Sequence, residues 1–125
     1  MGSTVLIVDD AEFMRLMLRE IVQDMGLEVV AEAADGFEAI AAWRRSRPDL
    51  VLMDITMPNL DGTEALRAIV DEDPAAAVVM ICALGQRDQV LAAVKAGARD
   101  FIIKPFDHER VQDTLDRLLA TAPRA

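Results

Sequence analysis

The chain has 125 residues, of which 53% are hydrophobic and 28% charged, a composition typical of one globular domain and not of a disordered or fibrous chain. It carries 22 acidic and 13 basic residues, giving a formal net charge of −9. Because such a surface repels phosphate backbones, we expect no nucleic-acid partner.

Short apolar runs rich in β-branched residues alternate along the chain with segments of helical periodicity. Runs that carry few charges on either face are typical of parallel strands covered by helices on both sides. The predicted strands are, in chain order, Thr4–Val8, Glu28–Ala33, Leu50–Met53, Ala77–Cys82 and Asp100–Ile103.

A hydrophobic stripe at helical spacing follows each predicted strand. The five stripes are Met14, Met17, Leu18, Ile21 and Met25; then Phe37, Ile40 and Ala41; then Ala65, Leu66, Ile69 and Val70; then Val90, Leu91 and Val94; and last Val111, Leu115, Leu118 and Leu119. Gly26, Pro74 and Gly97 end the first, third and fourth predicted helices.

Five strand–helix units in series predict an α/β fold with a doubly wound parallel sheet. Right-handed crossovers place the five helices on both faces of the sheet, and a closed eight-unit barrel would need about twice this length. The five-stranded, flavodoxin-like version of this fold has strand order 2-1-3-4-5. We expect a single domain over residues 1–120 and a frayed tail over 121–125.

Charged residues stand at the carboxyl ends of three predicted strands: Asp9 and Asp10, Asp54, and Lys104. In such a sheet, ligands bind beyond these ends, where the strand order reverses, here between strands 1 and 3. Neighbouring strands are about 4.8 Å apart, so the three carboxylates must share a small volume. Their repulsion calls for a cation, and an all-oxygen site suits Mg²⁺.

A nucleophilic carboxylate, a hard metal ion and an ammonium group together suit phosphoryl transfer to an aspartate. Singly, each acid is more often a helix cap or turn residue, and Lys104 a solvated charge. Their gathering on one edge favours a functional role, because repulsion would otherwise destabilise the fold for no gain.

The motifs around these charges resemble the receiver domains of two-component response regulators, over roughly Val5 to Leu119. The matching motifs are Val5–Asp10, Met53–Pro58 with Asp61 and Gly62, and Lys104–Phe106. Within the family, the stand-alone chemotaxis regulators are most similar, through Asp9–Ala11 with Phe13–Arg15, Leu84–Gln86 and Ala96–Ile102.

This resemblance implies that Asp54 is the phosphoacceptor, taking a phosphoryl group from a phosphohistidine of a sensor histidine kinase. It implies that Asp10, Asp54 and the backbone carbonyl of Thr56 bind Mg²⁺ directly, and that Asp9 acts on the metal through water.

The resemblance further implies that Lys104, Cys82 and Ala83 contact the phosphoryl group and that the Lys104–Pro105 peptide bond is cis. It also implies that Phe101 and Cys82 occupy the switch positions, where an aromatic ring swings inward on phosphorylation. A phenylalanine in a strand is, however, often only a core residue.

Cys82 departs from the family, which usually has Ser or Thr there. A thiol is a weak hydrogen-bond donor. The interpretation we favour is that Cys82 fills space while Mg²⁺ and Lys104 carry the chemistry. Alternatively, Cys82 weakens the coupling between phosphorylation and the switch. A redox role is disfavoured, because three nearby carboxylates oppose a thiolate.

The function implied is a phosphorylation-controlled switch in a two-component pathway, with chemotaxis as the expected setting. We expect a monomer whose output partner, a flagellar motor switch protein or another protein, binds the face made by helix 4, strand 5 and helix 5 (Arg87–Leu118). Two alternatives stay open: a phosphate sink or binding-only receiver, and a small aspartyl-phosphate phosphatase. The phosphatase is disfavoured because Thr56 stands where such enzymes usually carry a second acid.

The location expected from sequence is the cytoplasm. Cys82 is the lone cysteine, so no internal disulfide can form, which fits a reducing compartment. The apolar run Ala75–Leu84 is too short to cross a membrane, and we expect neither a leader peptide nor a fused output domain.

Overall fold

A computed structural model of the chain describes residues 2–121, in which strands and helices alternate. The strands are β1 (Thr4–Val8), β2 (Glu28–Ala33), β3 (Leu50–Asp54), β4 (Val78–Ala83) and β5 (Asp100–Lys104). The helices are α1 (Glu12–Asp24), α2 (Gly36–Ser46), α3 (Gly62–Glu72), α4 (Arg87–Ala96) and α5 (His108–Thr121). Every predicted element is present, and β3, β4 and β5 each extend one residue beyond the predicted end.

The five strands form one parallel sheet in the order β2-β1-β3-β4-β5, which confirms the predicted fold class. The order reverses between β1 and β3, so the loops that follow these two strands leave toward opposite sides of the sheet. The crevice between them is where this architecture accommodates ligands.

Alternate strand residues face two separate hydrophobic cores. On one face, side chains such as Leu6, Met53 and Met80 pack beneath α2, α3 and α4. On the other face, Ile7, Leu52 and their neighbours pack beneath α1 and α5. Burial on both faces explains why the strand sequences are almost continuously apolar.

The buried face of α2 differs from the predicted one. Phe37 was expected to mark the apolar stripe, but its side chain is 60% exposed, and the helix buries Ala39, Ala42 and Trp43 instead. Trp43 has the largest apolar area on this helix, and two alanines on the same face let its backbone approach the sheet. The guanidinium of Arg47 covers the indole at 4.0 Å from the ring centroid.

Of the tail predicted to fray, only Thr121 is described, as the last residue of α5, and residues 122–125 lie outside the described part of the chain. The domain boundary at residue 120 therefore stays a prediction. Within residues 2–121, no helix combines the length and apolar character needed to cross a bilayer.

Candidate functional site

The pairing of β1 with β3 brings the acidic residues together. Val8 pairs with Met53, so Asp9 and Asp54 follow at the same level on neighbouring strands. Asp9 and Asp54 are buried and Asp10 is exposed, and each contributes a carboxylate oxygen to a group lying within 4.8 Å of one another. We call these three residues the acid cluster.

Lys104 reaches the acid cluster from the end of β5, two strands away from Asp54. Its ammonium nitrogen donates to Oδ2 of Asp54 at 3.0 Å and to Oδ2 of Asp9 at 3.5 Å. The Lys104–Pro105 peptide bond is cis. The four charged residues expected at this edge are thus all found there.

The charges at this edge do not balance. Burial raises the pKa of Asp9, and the nearby carboxylate of Asp54 raises it further, against the lowering effects of the Ala11 backbone N–H and Lys104. Burial lowers the pKa of Lys104, but its hydrogen bond to Asp54 and the charges of Asp54 and Asp9 outweigh this, so that pKa is raised overall. Three carboxylates facing one ammonium leave a formal charge of −2 when all are ionised.

This charge deficit and the all-oxygen donor set fit a divalent cation such as Mg²⁺. Asp10 and Asp54 are placed to hold it, and the exposed side of Asp10 leaves room for water ligands. The residues present therefore fit the metal that the sequence predicts.

The loop after β3 stays close to Asp54. The Thr56 backbone N–H lies 3.4 Å from Oδ1 of Asp54, and the Gly62 N–H donates to the Ile55 carbonyl at 2.7 Å. A Cβ on Gly62 would lie 2.1 Å from the Asp54 carbonyl oxygen, so the position that begins α3 admits only glycine without displacement.

At the end of β4, Cys82 does not aim its thiol at an open site. It is 1% exposed, and Sγ lies 3.7 Å from the Ile102 carbonyl oxygen, within reach of a weak S–H hydrogen bond. Burial raises the pKa of the thiol, and the charge of Asp54 raises it further. Cys82 is therefore an uncharged thiol at neutral pH, as the space-filling interpretation requires.

The neighbouring amide, that of Ala83, has a partner that the sequence did not indicate. Its N–H donates to Oε1 of Gln86 at 2.6 Å, and Nε2 of Gln86 donates to the Thr56 hydroxyl at 2.8 Å. The Gln86 side chain thereby joins the end of β4 to the loop that follows Asp54.

Phe101 lies on β5, paired with Met80, and is 40% exposed, so it is not a core residue here. Its ring lies along an open groove of about 500 Å³ that also involves Ile103, Phe106 and Arg110. An aromatic ring with this much exposure has space to change position.

Two further contacts at the site escaped the sequence interpretation. Nη1 of Arg15 donates to the Asp9 carbonyl at 2.7 Å while its Nε pairs with Glu32 at 3.2 Å, which fixes the start of the β1–α1 loop. Arg15 and Gln86 both lie in matching motif stretches, but only side-chain geometry reveals what they contact.

Comparison with known proteins identifies the same family that the sequence motifs resemble. Residues 5–116 match the family of response regulator receiver domains. The chain belongs to this family. The chemotaxis protein CheY of Listeria monocytogenes is 52% identical over 112 residues, covering 90% of this chain and 94% of its own. CheY of Thermotoga maritima is 48% identical over 118 residues, covering 94% and 98%.

Solved receiver structures share the fold as well. The CheX–CheY–BeF3–Mg²⁺ complex from Borrelia burgdorferi contains a chain that superposes on this receiver with a TM-score of 0.90 at 37% identity, covering 94% of this chain and 89% of that one. The receiver is thus a two-component response regulator domain homologous to CheY.

Proposed function

We propose that this receiver accepts a phosphoryl group on Asp54, with Mg²⁺ in the acid cluster, from a phosphohistidine of a sensor histidine kinase. The observation that carries the proposal is the position of the Asp54 carboxylate, which lies among two other acids and 3.0 Å from the ammonium of Lys104. A nucleophile, oxygen ligands for a metal and a fixed positive charge meet at one point.

In the transfer step, a carboxylate oxygen of Asp54 attacks phosphorus and forms the new O–P bond. The N–P bond of the phosphohistidine breaks, and its electron pair returns to the imidazole nitrogen. Lys104 neutralises charge on the phosphoryl oxygens, and the Ala83 amide accommodates another of them. Mg²⁺, held by Asp10, Asp54 and the Thr56 carbonyl with Asp9 acting through water, would supply further positive charge to the same oxygens.

The acyl phosphate is then lost by hydrolysis, which resets the switch. Thr56 cannot act as the second acid of an aspartyl phosphatase, and its hydroxyl already accepts a hydrogen bond from Gln86. This supports a signalling protein that hydrolyses its own acyl phosphate slowly, and not a phosphatase that acts on free phosphoesters.

We assign the output surface to the face made by α4, β5 and α5 (Arg87–Leu118), with Phe101 and Cys82 as the switch residues. Among the described residues, eight large hydrophobic side chains are exposed, and four of them lie on this face: Leu91, Val94, Phe101 and Ile103. Such a surface suits a protein partner. By analogy with CheY, the setting is cytoplasmic chemotaxis, the receiver is a monomer, and the partner is a flagellar motor switch component.

The test is incubation with Mg²⁺ and acetyl phosphate, followed by mass spectrometry. We expect one added phosphate, which a chelator prevents and Asp54→Asn abolishes. Asp61→Asn is the matched control, since Asp61 is an exposed acid of the same loop region and its variant should still gain one phosphate. Labelling that persists in Asp54→Asn would overturn the proposal, and steady turnover of a model phosphate ester would favour the phosphatase.

Partner binding separates a switch from a phosphate sink. We expect the affinity for an output protein to change when the receiver is phosphorylated. Affinities that stay the same for every partner tried would favour the sink.

A further inference from the structure

Gln86 holds together two segments of the phosphorylation site. Its carbonyl oxygen accepts the Ala83 N–H at 2.6 Å, and its amide nitrogen donates to the Thr56 hydroxyl at 2.8 Å. The bond to the Ala83 N–H is short, and the residue is half-buried. It is the last residue before α4, where it makes no side-chain cap bond to that helix.

The Ala83 amide cannot serve two acceptors at once. Ala83 pairs with Lys104 across β4 and β5, so its N–H lies on the edge of the sheet that carries the acid cluster. A backbone amide has one proton, and a strong bond to Gln86 leaves none for a phosphoryl oxygen. A phosphoryl group that takes this amide must therefore displace the Gln86 side chain.

We propose that Gln86 is a positioning residue of the switch: it occupies the Ala83 amide in the unphosphorylated receiver and is displaced when a phosphoryl oxygen takes that amide. This inference rests on the proposed function, because it needs a phosphoryl group on Asp54. Displacement also removes the bond to Thr56, so the end of β4 and the loop after β3 lose their shared side chain.

The local backbone lets this change reach α4. Gly85, immediately before Gln86, has φ of +89° and no atom within 4 Å of the position a Cβ would take, so the turn has space around it. The Gln86 carbonyl accepts the Val90 N–H at 2.9 Å, which ties its backbone to the first turn of α4.

The cysteine at position 82 makes the Ala83 amide more important for binding a phosphoryl oxygen. Its thiol is buried and lies against the Ile102 carbonyl, so the side chain of residue 82 offers no strong donor to a phosphoryl oxygen. The Ala83 amide is then the strong donor that β4 can present, and its occupant controls access to it.

The experiment titrates beryllofluoride, a phosphoryl analogue, at saturating Mg²⁺ into the wild type, Gln86→Leu and Gln89→Leu. Gln86→Leu removes the competing acceptor, so we expect half-saturation at about fivefold lower beryllofluoride, the change expected for one neutral hydrogen bond. Gln89→Leu, the same change at an exposed position of α4, should titrate like the wild type. Damage to the fold would instead weaken binding.

A second measurement uses the wild type alone and does not depend on a variant folding. We expect the side-chain NH₂ signals of Gln86 and the backbone amide signal of Ala83 to move together in NMR spectra as beryllofluoride saturates. The inference is overturned if the Gln86 NH₂ signals stay fixed at saturation, or if folded Gln86→Leu binds the analogue no more tightly than the wild type.

Failure of the proposed function gives a different result. If the wild type does not respond to beryllofluoride at all, Asp54 does not accept a phosphoryl analogue, and both proposals fall. If the wild type saturates normally but the Gln86 NH₂ signals do not move, or Gln86→Leu titrates like the wild type, only the role proposed for Gln86 is wrong.

Discussion

Cys82 places a weak donor where a hydroxyl would be a strong one. The buried thiol lies 3.7 Å from the Ile102 carbonyl, a distance at which sulfur makes at most a weak bond. A hydroxyl in the same space could turn toward a phosphoryl oxygen and make a stronger bond. The side chain at position 82 therefore determines whether β4 offers a side-chain donor, in addition to the Ala83 amide, to a phosphoryl oxygen.

The alternative interpretation, that Cys82 weakens the coupling, predicts that Cys82→Ser or Cys82→Thr strengthens activation by phosphoryl analogues, with half-saturation at about fivefold lower beryllofluoride because one neutral hydrogen bond is added. NMR or fluorescence titration measures this shift. Cys82→Ala is the control, since it removes the sulfur and adds no donor. Unchanged titrations for both hydroxyl variants would show that Cys82 only fills space.

Sequence reasoning could locate the acid cluster because it depends on topology alone. The strands end at Asp54 and Lys104, and parallel strands bring their carboxyl ends to one edge. It could not find the contacts of Gln86, because those depend on one side-chain conformation among many and no periodicity encodes them.

The N-terminus of α2 is joined to the loop that follows Asp54. Asp35 begins α2 by accepting the Glu38 N–H at 2.9 Å, while its other oxygen accepts the Asn59 amide at 2.7 Å. Asn59 lies in the loop that follows Asp54 and has φ of +68°. Asp35 thus caps a helix and holds that loop together.

We predict that Asp35→Ala lowers the free energy of unfolding more than Asp61→Ala does, as measured by urea unfolding. Asp61 caps α3 through the Glu64 N–H and serves as the matched control, with a typical cost of about 1 kcal/mol. Equal losses in the two variants would show that the Asn59 bond adds nothing.

We also predict that the difference in the free energy of unfolding between Asp35→Ala and Asp61→Ala depends on pH. The Glu38 N–H and the Asn59 amide hold the pKa of Asp35 below its ordinary value of about 3.9. Its stabilising contribution is therefore complete above that value and is lost as the pH falls through the lower folded pKa. The extra loss in Asp35→Ala should shrink only below about pH 4; shrinkage at neutral pH would contradict this cause.

The helices were predictable in number and position but less so in orientation. Apolar spacing marks each helix, and Gly26, Pro74 and Gly97 mark the ends of the first, third and fourth. For α2, the apolar residues Phe37 and Trp43 lie on different faces, and a choice between them depends on the shape of the sheet beneath. Packing settles this in favour of Trp43.

At the scale of the whole molecule, the acid cluster that serves the proposed function lowers the stability of the metal-free fold. The chain already carries a formal charge of −9, and three of its carboxylates lie together with one ammonium near them. Without a cation, this arrangement costs free energy that the sheet and its two cores must offset. A metal ion would reverse the sign of that contribution.

We predict that Asp10→Asn stabilises the metal-free protein by about 1 kcal/mol, because it removes one like charge from the cluster. Mg²⁺ should stabilise the wild type by about 2.7 kcal/mol at one hundred times its dissociation constant, and should do far less for the variant. Thermal unfolding with Mg²⁺ or with a chelator measures both effects. An equal response of the two proteins to Mg²⁺ would remove Asp10 from the metal site.

The distance along the chain between Asp54 and Lys104 has a consequence during synthesis. The two side chains meet in space although 50 positions separate them, and β5 must join the sheet before they can do so. A ribosome exposes the nucleophile well before it supplies its ammonium partner. Under the proposed function, a polypeptide that still lacks β5 carries the nucleophile without its ammonium partner, so the complete set of site residues assembles only when the last strand joins the sheet.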